Sequence, residues 1–163
     1  MIYEGDPLIK VYLFDWGDTL MVDFPGVSGK MCNWDIVESV DGAKETLECL
    51  SQNAKIYIAT GASESTENEI KIAFNRVGLD RYISGYFCKA TVGQVKGRPE
   101  FLMAILSTLN IAKDSVAMVG DNFEKDILPS TAIGIRSFWL LGRSQQNLPT
   151  GCTQINNLLE LCI

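Results

Sequence analysis

Aspartate residues stand directly after two apolar stretches of the chain. The run Val11–Phe14 leads into Asp15, and the run 115–119 leads through one glycine into Asp121, with Asp126 a turn later. Taken singly, each aspartate has a structural explanation, because aspartate is also a common turn former and helix cap. Taken together, carboxylates supply the hard oxygen ligands that divalent cations prefer.

Thr60 and Lys96 are two more polar residues that could take part in chemistry. Thr60 and Gly61 end the apolar stretch 55–59, and Lys96 lies in a loop shortly before Pro99. A threonine at this place can simply be a good β-former, and a loop lysine is usually solvated. These residues therefore point to chemistry only if the fold brings them to the aspartates.

The composition excludes several kinds of site. The chain has no histidine, which removes serine–histidine–aspartate triads and histidine-ligated zinc. Its five scattered cysteines form no Cys-x-x-Cys pair, so they are predicted to be reduced packing residues. A net charge of −6 and a pI near 4.6 disfavour a nucleic-acid partner, because phosphate backbones are held mainly by lysine and arginine. Catalysis would have to use carboxylates, lysine, hydroxyls or backbone groups.

The length of 163 residues fits one domain, and we predict a single domain over residues 1–163. No apolar run approaches the ~20 residues that a membrane span needs, and the N-terminal residues resemble no export signal. We therefore expect no membrane partner and a cytoplasmic location. The sequence does not indicate an oligomeric state.

Apolar runs alternate with helical spacings, and this alternation predicts how the polar residues are positioned. The predicted strands cover 9–15, 55–60, 86–89, 115–119 and 137–141; the predicted helices begin near Asp41, Ser63, Pro99 and Phe123, and a closing helix covers 155–162. This order predicts an α/β fold, a doubly wound, Rossmann-like parallel sheet of five strands with helices on both faces. Ligands of such sheets bind at the carboxyl ends of the strands.

Four segments contain the polar residues in a fixed order. Segment 11–20 reads VYLFDWGDTL, segment 56–61 reads IYIATG, segment 96–101 reads KGRPEF, and segment 119–126 reads VGDNFEKD. In sequence and in order they resemble the four motifs of the haloacid dehalogenase superfamily of hydrolases. The resemblance spans nearly the whole chain and is closest to a phosphatase-like member without a cap domain.

The resemblance implies a role for each residue. Asp15 would be the nucleophile that forms an aspartyl-phosphate intermediate, and it would share Mg²⁺ with Asp121, the backbone carbonyl of Gly17 and Asp126, the last of these through a bound water. Lys96 would offset the clustered negative charge. The residues implied in holding the phosphoryl group of a phosphorylated substrate are Thr60, Gly61, Trp16 and Lys96.

The chain departs from the family pattern at Gly17. Family phosphatases have a second aspartate there, which protonates the leaving oxygen and later activates water. Losing such an acid typically costs ~10²- to 10⁴-fold in rate. Asp18 follows at once; it could point into the site and compensate if the turn is remodelled, but it is expected to face solvent or cap the turn. A glycine at position 17 could also indicate a turn that needs a positive φ.

A second departure is the short segment between Leu20 and Asp41, which leaves no room for a globular cap. The site would then be open, with Phe24 and Trp34 either bordering its entrance or packed beneath the loop. Our first hypothesis is a magnesium-dependent phosphatase with a weak or restricted leaving-group step. The alternative is a catalytically impaired module that binds phosphate or metal and serves regulation.

Overall fold

The computed structural model describes residues 8–142 and 147–162, and these form helices around a parallel β-sheet. The strands are β1 (Val11–Phe14), β2 (Lys55–Ala59), β3 (Gly85–Phe87), β4 (Val116–Gly120), β5 (Arg136–Leu140) and β6 (Cys152–Ile155). They lie in the order β3-β2-β1-β4-β5-β6, and every neighbouring pair is parallel. The predicted doubly wound parallel sheet is confirmed, with six strands instead of five.

β6 is the strand that the sequence analysis missed. It pairs with β5 at the edge of the sheet, and the predicted closing helix over 155–162 is reduced to a 3-10 helix, Leu158–Cys162. Within β6, Ile155 is buried and Thr153 is exposed. Four residues carry too little alternation to identify a strand by pattern, so pairing with β5 decides the structure here.

The helices follow the strands as expected, with one addition. They are α1 (Ala43–Leu50), α2 (Glu67–Arg76), α3 (Lys89–Val92), α4 (Pro99–Leu109) and α5 (Leu128–Ala132). The single turn α3 was not predicted. Pro99 opens α4 as predicted, because the first helical position needs no backbone N–H and suits the fixed φ of proline.

Thr66 caps α2, so the helix begins a few residues after Ser63, where its start was predicted. The Thr66 hydroxyl accepts a hydrogen bond from the Glu69 N–H at 3.2 Å, and the Glu69 carboxylate accepts one from the Thr66 N–H at 3.1 Å. This reciprocal capping box satisfies two donors that the first turn leaves unpaired. Ser63 remains in the loop between β2 and α2.

Alternate residues of the central strands build two apolar layers. Phe14 packs with Phe74 of α2 on one face of the sheet, whereas Leu13 packs with Phe101 and Ile105 of α4 on the other. Successive side chains of a strand point to opposite faces, so a strand buried on both sides reads as a continuous apolar run. This is why β1 and β4 could be recognised from the sequence.

The register of β1 and β4 brings their carboxyl ends together. Phe14 pairs with Val119, and the Asp15 N–H donates to the Val119 carbonyl at 3.0 Å. These two strands are adjacent although they are distant in the chain, which makes the gap between their ends the topological switch point of the sheet. The polar residues after β1 and β4 meet there.

A π-helix follows β4 and leads into α5. It spans Phe123–Ile127 and is capped by Asn122, whose side chain accepts a hydrogen bond from the Lys125 N–H. It passes directly into α5, whose second residue is Pro129. The sequence predicted a helix from Phe123 that Pro129 would disturb, and the irregularity is found just before the proline. Single π-turns are often found at functional sites.

Two of the five cysteines contradict the prediction of reduced packing residues. Cys49 of α1 and Cys162 near the C-terminus form a disulfide, whereas Cys32, Cys88 and Cys152 are free. A separation of 113 residues leaves no spacing signal, because only the packing of the C-terminal 3-10 helix against α1 brings the two together.

Among the described residues, every helix is too short or too polar to cross a membrane. The cytoplasmic location and the single domain over residues 1–163 stay predictions.

Candidate active site

Three carboxylates meet at the switch point. Asp15 follows β1, Asp121 follows β4, and Asp126 projects from the π-helix, and one carboxylate oxygen of each lies within 4.8 Å of those of the other two. Asp15 and Asp121 are partly exposed, whereas Asp126 is fully buried. The three aspartates singled out in the sequence therefore form one cluster.

Lys96 is the cation of this cluster. Its Nζ lies 2.6 Å from Asp15 Oδ1 and 2.6 Å from Asp126 Oδ1, and its side chain is 5% exposed. Burial lowers the pKa of Lys96, but the carboxylates of Asp15 and Asp126 raise it by more, so the net shift of this pKa is upward. Lys96 is thus a buried ammonium ion, whereas the sequence alone also allowed a solvated loop lysine.

One lysine does not balance three carboxylates. Burial raises the pKa of Asp121 to about 7, with further increases from Asp15 and Asp126. Burial also raises the pKa of Asp126 to about 6, against the lowering effect of Lys96. The cluster thus holds excess negative charge near neutral pH.

The donor set fits a small divalent cation. Mg²⁺ is bound by a few carboxylate oxygens and keeps part of its hydration shell. Asp15 and Asp121 are partly open to the cleft, and a cation there would relieve the repulsion that raises the pKa of Asp121.

Thr19 links two of the carboxylates and was given no role by the sequence analysis. Its buried hydroxyl lies 3.1 Å from Asp121 Oδ1 and 3.3 Å from Asp15 Oδ2, so it can donate to either oxygen. The sequence did contain a signal for Thr19, because this residue belongs to segment 11–20, which resembles a family motif. A threonine in a turn, however, is not distinctive without knowledge of what it contacts.

Gly120 allows Asp126 to approach the end of β4. A Cβ atom on Gly120 would overlap the Asp126 carboxylate, and the Asn122 N–H donates to Asp126 Oδ2 at 3.0 Å. The glycine of the Gly-Asp pair thus has a steric function. Any side chain there would push Asp126 away from Lys96.

The remaining predicted residues also border the cleft. Thr60 is buried at the end of β2, and its hydroxyl accepts a hydrogen bond from the Ala62 N–H at 3.1 Å. Gly61 is exposed beside the Lys96 side chain. Trp16 turns its indole into the core, where Nε1 lies 3.3 Å from the Met21 sulfur, so only its backbone remains to bind substrate.

The turn after Asp15 contains Gly17 and Asp18, and its backbone conformation tests what was predicted for both. Gly17 does not have a positive φ, so the explanation of this glycine by backbone conformation was wrong. The positive φ, 59°, belongs to Asp18, which is exposed and accepts a hydrogen bond from the Asp23 N–H at 3.0 Å. Asp18 caps the turn, as expected for this residue.

The cluster opens into a cavity of about 610 Å³. The cavity wall includes residues that the sequence analysis did not select, namely Asp23, Lys30, Met31, Glu64, Asn122 and Lys125. Most lie on the loops after β1 and β2, where no periodicity or motif distinguishes a wall residue from a solvated one.

Trp34 both packs beneath the loop and borders the cavity. It is 8% exposed, its Nε1 donates to the Gly29 carbonyl at 3.0 Å, and its ring lies 6.5 Å from that of Phe24. Phe24 is half-buried against the same core layer. The Arg76 guanidinium donates to the Trp34 carbonyl at 2.5 Å and to the carbonyls of three neighbouring residues, which holds the loop on α2.

Solved structures resemble this fold over nearly its whole length. An uncharacterized protein from Listeria monocytogenes serotype 4b is 23% identical, with a TM-score of 0.81 over 93% of this chain and 94% of that one. A HAD phosphatase from Thermococcus onnurineus is 17% identical, with a TM-score of 0.73 over 94% and 96%. A 2-haloacid dehalogenase from Pseudomonas syringae is 17% identical, with a TM-score of 0.73 over 94% and 96%.

A sequence model of the haloacid dehalogenase-like hydrolases matches residues 32–134. This stretch is well over half of the chain and includes Thr60, Lys96, Asp121 and Asp126, while Asp15 precedes it. No curated protein matches the chain significantly. The structures, all below 25% identity, show the fold, and the family match shows the relationship: the chain belongs to the haloacid dehalogenase-like hydrolases.

Proposed function

We propose that this hydrolase is a magnesium-dependent phosphatase that acts through an aspartyl-phosphate on Asp15. The observation that carries the proposal is the position of the Asp15 carboxylate, which lines an open cavity with one oxygen on Lys96 and the other near Thr19. A buried ammonium on one oxygen fixes the orientation of a carboxylate without hiding it from a substrate. The structurally similar protein from Thermococcus onnurineus is a HAD phosphatase, which agrees with this proposal.

The cation would be held by Asp15, Asp121, the Gly17 carbonyl and, through water, Asp126. Bound there, Mg²⁺ would offset the negative charge of the phosphoryl group and of the carboxylates. Lys96 pairs with Asp15 and Asp126 and orients both carboxylates. The cation and Lys96 are both needed, because the three carboxylates would otherwise repel a dianionic phosphoryl group.

The chain's own residues then carry the transfer. The Asp15 carboxylate attacks phosphorus in line with the leaving oxygen, which forms an acyl phosphate and releases the alcohol. Thr60, Gly61, Lys96 and the backbone of Trp16 would bind the phosphoryl oxygens, whose charge grows in the transition state. Water then attacks phosphorus, which regenerates Asp15 and yields inorganic phosphate.

The open cavity favours phosphate groups that are exposed, on a small molecule or on a larger one. The part of the chain that the structure describes has no cap domain, and Trp34 of the loop after β1 borders the cavity. Specificity would then come from wall residues such as Lys30 and Lys125. Both lysines line the cavity, although the Lys30 Nζ also lies 2.7 Å from Glu69 Oε2, and their positive charge would suit substrates with further negative charge.

The test is a panel of acyl, aryl and alkyl phosphates, each assayed for released phosphate over a magnesium titration. We expect magnesium-dependent hydrolysis that is fastest for acyl phosphates, whose leaving groups need the least protonation. Asp15→Asn should abolish it, whereas Asp114→Asn, at an exposed residue before β4 at the opposite end of the sheet, should not.

The panel also separates the proposal from the alternative of a binding module. A module would bind magnesium and phosphate but would hydrolyse no member of the panel. Hydrolysis that persists in Asp15→Asn would show that another residue is the nucleophile.

A further inference from the structure

Hydrolysis of an alkyl phosphate requires a proton for the leaving oxygen, and position 17 has no side chain to give one. This inference rests on the proposed phosphatase function. From the geometry of the turn after β1, we propose that the carboxyl group of Asp23 acts as the general acid and base of the reaction. Asp23 lines the cavity and lies eight positions beyond Asp15 in the chain.

The carboxylate of Asp23 is adjacent to the space that a side chain at position 17 would enter. A Cβ built on Gly17 would lie 3.5 Å from the Asp23 Cβ, 3.6 Å from its Oδ2 and 3.8 Å from its Cγ. These are ordinary contacts, and the φ of Gly17 is not positive, so neither sterics at the Cβ nor backbone conformation demands a glycine. A longer acidic side chain, however, would meet the Asp23 carboxylate.

The other carboxylates of the described cavity wall are already committed. Asp121 faces Thr19, and Asp126 is buried against Lys96. Asp15 is the proposed nucleophile. Asp23 lines the same wall, neither binds Lys96 nor belongs to the metal cluster, and flanks the turn that carries the nucleophile.

Asp18 and Glu64 also carry carboxylates at this wall, and each has another partner. Asp18 accepts the hydrogen bond of the Asp23 N–H, so its carboxylate serves the turn. Glu64 lies on the side of Lys30, where its charge adds to the effect of Glu69 on that ammonium. Neither has the position beside Gly17 that Asp23 has.

The backbone holds Asp23 in place while its side chain stays accessible. Its N–H is bound by Asp18, and the preceding Val22 N–H donates to the Glu38 carbonyl at 2.9 Å. Met21 forms bridges with both Gly17 and Ser39. The segment is therefore anchored on two sides. The exposed carboxyl group of Asp23 is free to contact the leaving group of a substrate bound in the cavity.

Asp23 gives up one proton and regains one in each turnover. As an Asp15 oxygen bonds to phosphorus and the bond from phosphorus to the ester oxygen breaks, the Asp23 carboxylic acid gives its proton to that oxygen and the alcohol leaves. The resulting Asp23 carboxylate then takes a proton from the water that attacks phosphorus of the acyl phosphate. Inorganic phosphate leaves, Asp15 is again a carboxylate, and Asp23 is again protonated for the next turnover.

The experiment compares leaving groups. In Asp23→Asn, kcat/KM for an alkyl phosphate is expected to fall by ~10²-fold or more, whereas that for acetyl phosphate should fall by less than about fivefold, because only the poor leaving group needs the proton. We compare kcat/KM because it reports only the steps up to phosphoryl transfer to Asp15 and does not include the later attack by water. Asp35→Asn, an exposed aspartate in the same loop but outside the cavity wall, is the matched control for charge.

A second variant keeps the proposal falsifiable. Gly17→Asp in the Asp23→Asn protein places a carboxyl in the same space and should restore at least part of the alkyl phosphate activity, a result that a structural role of Asp23 would not produce. An equal loss for both substrates in Asp23→Asn, or no loss, would overturn the role of Asp23 while leaving the phosphatase in place. If the unchanged protein hydrolyses no phosphate, both proposals fall.

Discussion

Lys96→Met tests the electrostatic balance of the site. The substitution keeps most of the side-chain volume but removes an ammonium group that lies 2.6 Å from two carboxylate oxygens and is nearly inaccessible to solvent. Removing one partner of a buried ion pair costs about 3 to 5 kcal/mol, because the remaining charges are left uncompensated. We therefore expect a loss of about 3 kcal/mol in the free energy of unfolding near pH 8.

The same variant should be much less destabilised in mild acid. Burial and neighbouring carboxylates already raise the pKa of Asp121 to about 7 and that of Asp126 to about 6, and removing Lys96 takes away the effect that lowers the latter. At about pH 5 these groups take up protons in the folded protein, so the loss should shrink to about 1 kcal/mol. The folded-state pKa values lie above the ordinary aspartate value, so stability falls as pH rises through this range.

The assay is urea denaturation followed by circular dichroism, with a chelator present so that bound cations do not contribute. Lys125→Met is the matched control, because Lys125 is an exposed lysine of the same cavity wall and forms none of the ion pairs found among the described residues. A loss for Lys96→Met that is the same at both pH values, or no larger than that of the control, would show that Lys96 does not balance the charge of these carboxylates.

Further predictions concern the loop, the carboxylate cluster and the disulfide. Arg76→Ala should speed hydrogen exchange of residues 31–35, since four carbonyls there lose their donor; unchanged exchange would contradict the proposed anchoring. Without metal, the protein should lose stability as pH rises from about 4 to 7, because the folded state holds the proton of Asp121 more tightly than the unfolded chain. Asp121→Asn should flatten that slope and raise the metal-free Tm while weakening magnesium binding by calorimetry; an unchanged magnesium titration would count against a shared ion. Reduction of the bond between Cys49 and Cys162 should cost about 2 to 4 kcal/mol in denaturation experiments, and no change in midpoint would show that the pair is not linked in solution.

The strand ends could be predicted because the chemistry and the fold agree there. Val11–Phe14 and the stretch before Asp121 are continuous apolar runs, as strands buried on both faces must be. Parallel strands expose their carboxyl ends at one edge, which places Asp15 and Asp121 together. The family motifs added Lys96, whose approach from a distant loop follows from no periodicity.

The missed features depend on contacts between distant parts of the chain. β6 is defined by its pairing with β5, and the disulfide by the packing of the C-terminal 3-10 helix on α1. Asp126 points at Lys96 because a π-helix and Gly120 make room for it. Asp23 is one exposed aspartate among several in the sequence, and only the fold places it beside Gly17.

An aspartyl-phosphate on Asp15 can be detected by trapping. The protein is mixed with radiolabelled acetyl phosphate and magnesium, quenched with acid during turnover, digested and mapped. We predict a label on the peptide that contains Asp15, released by hydroxylamine as an acyl phosphate is, and absent from Asp15→Asn. Steady turnover with no labelled peptide under these conditions, or with the label on another residue, would contradict the account.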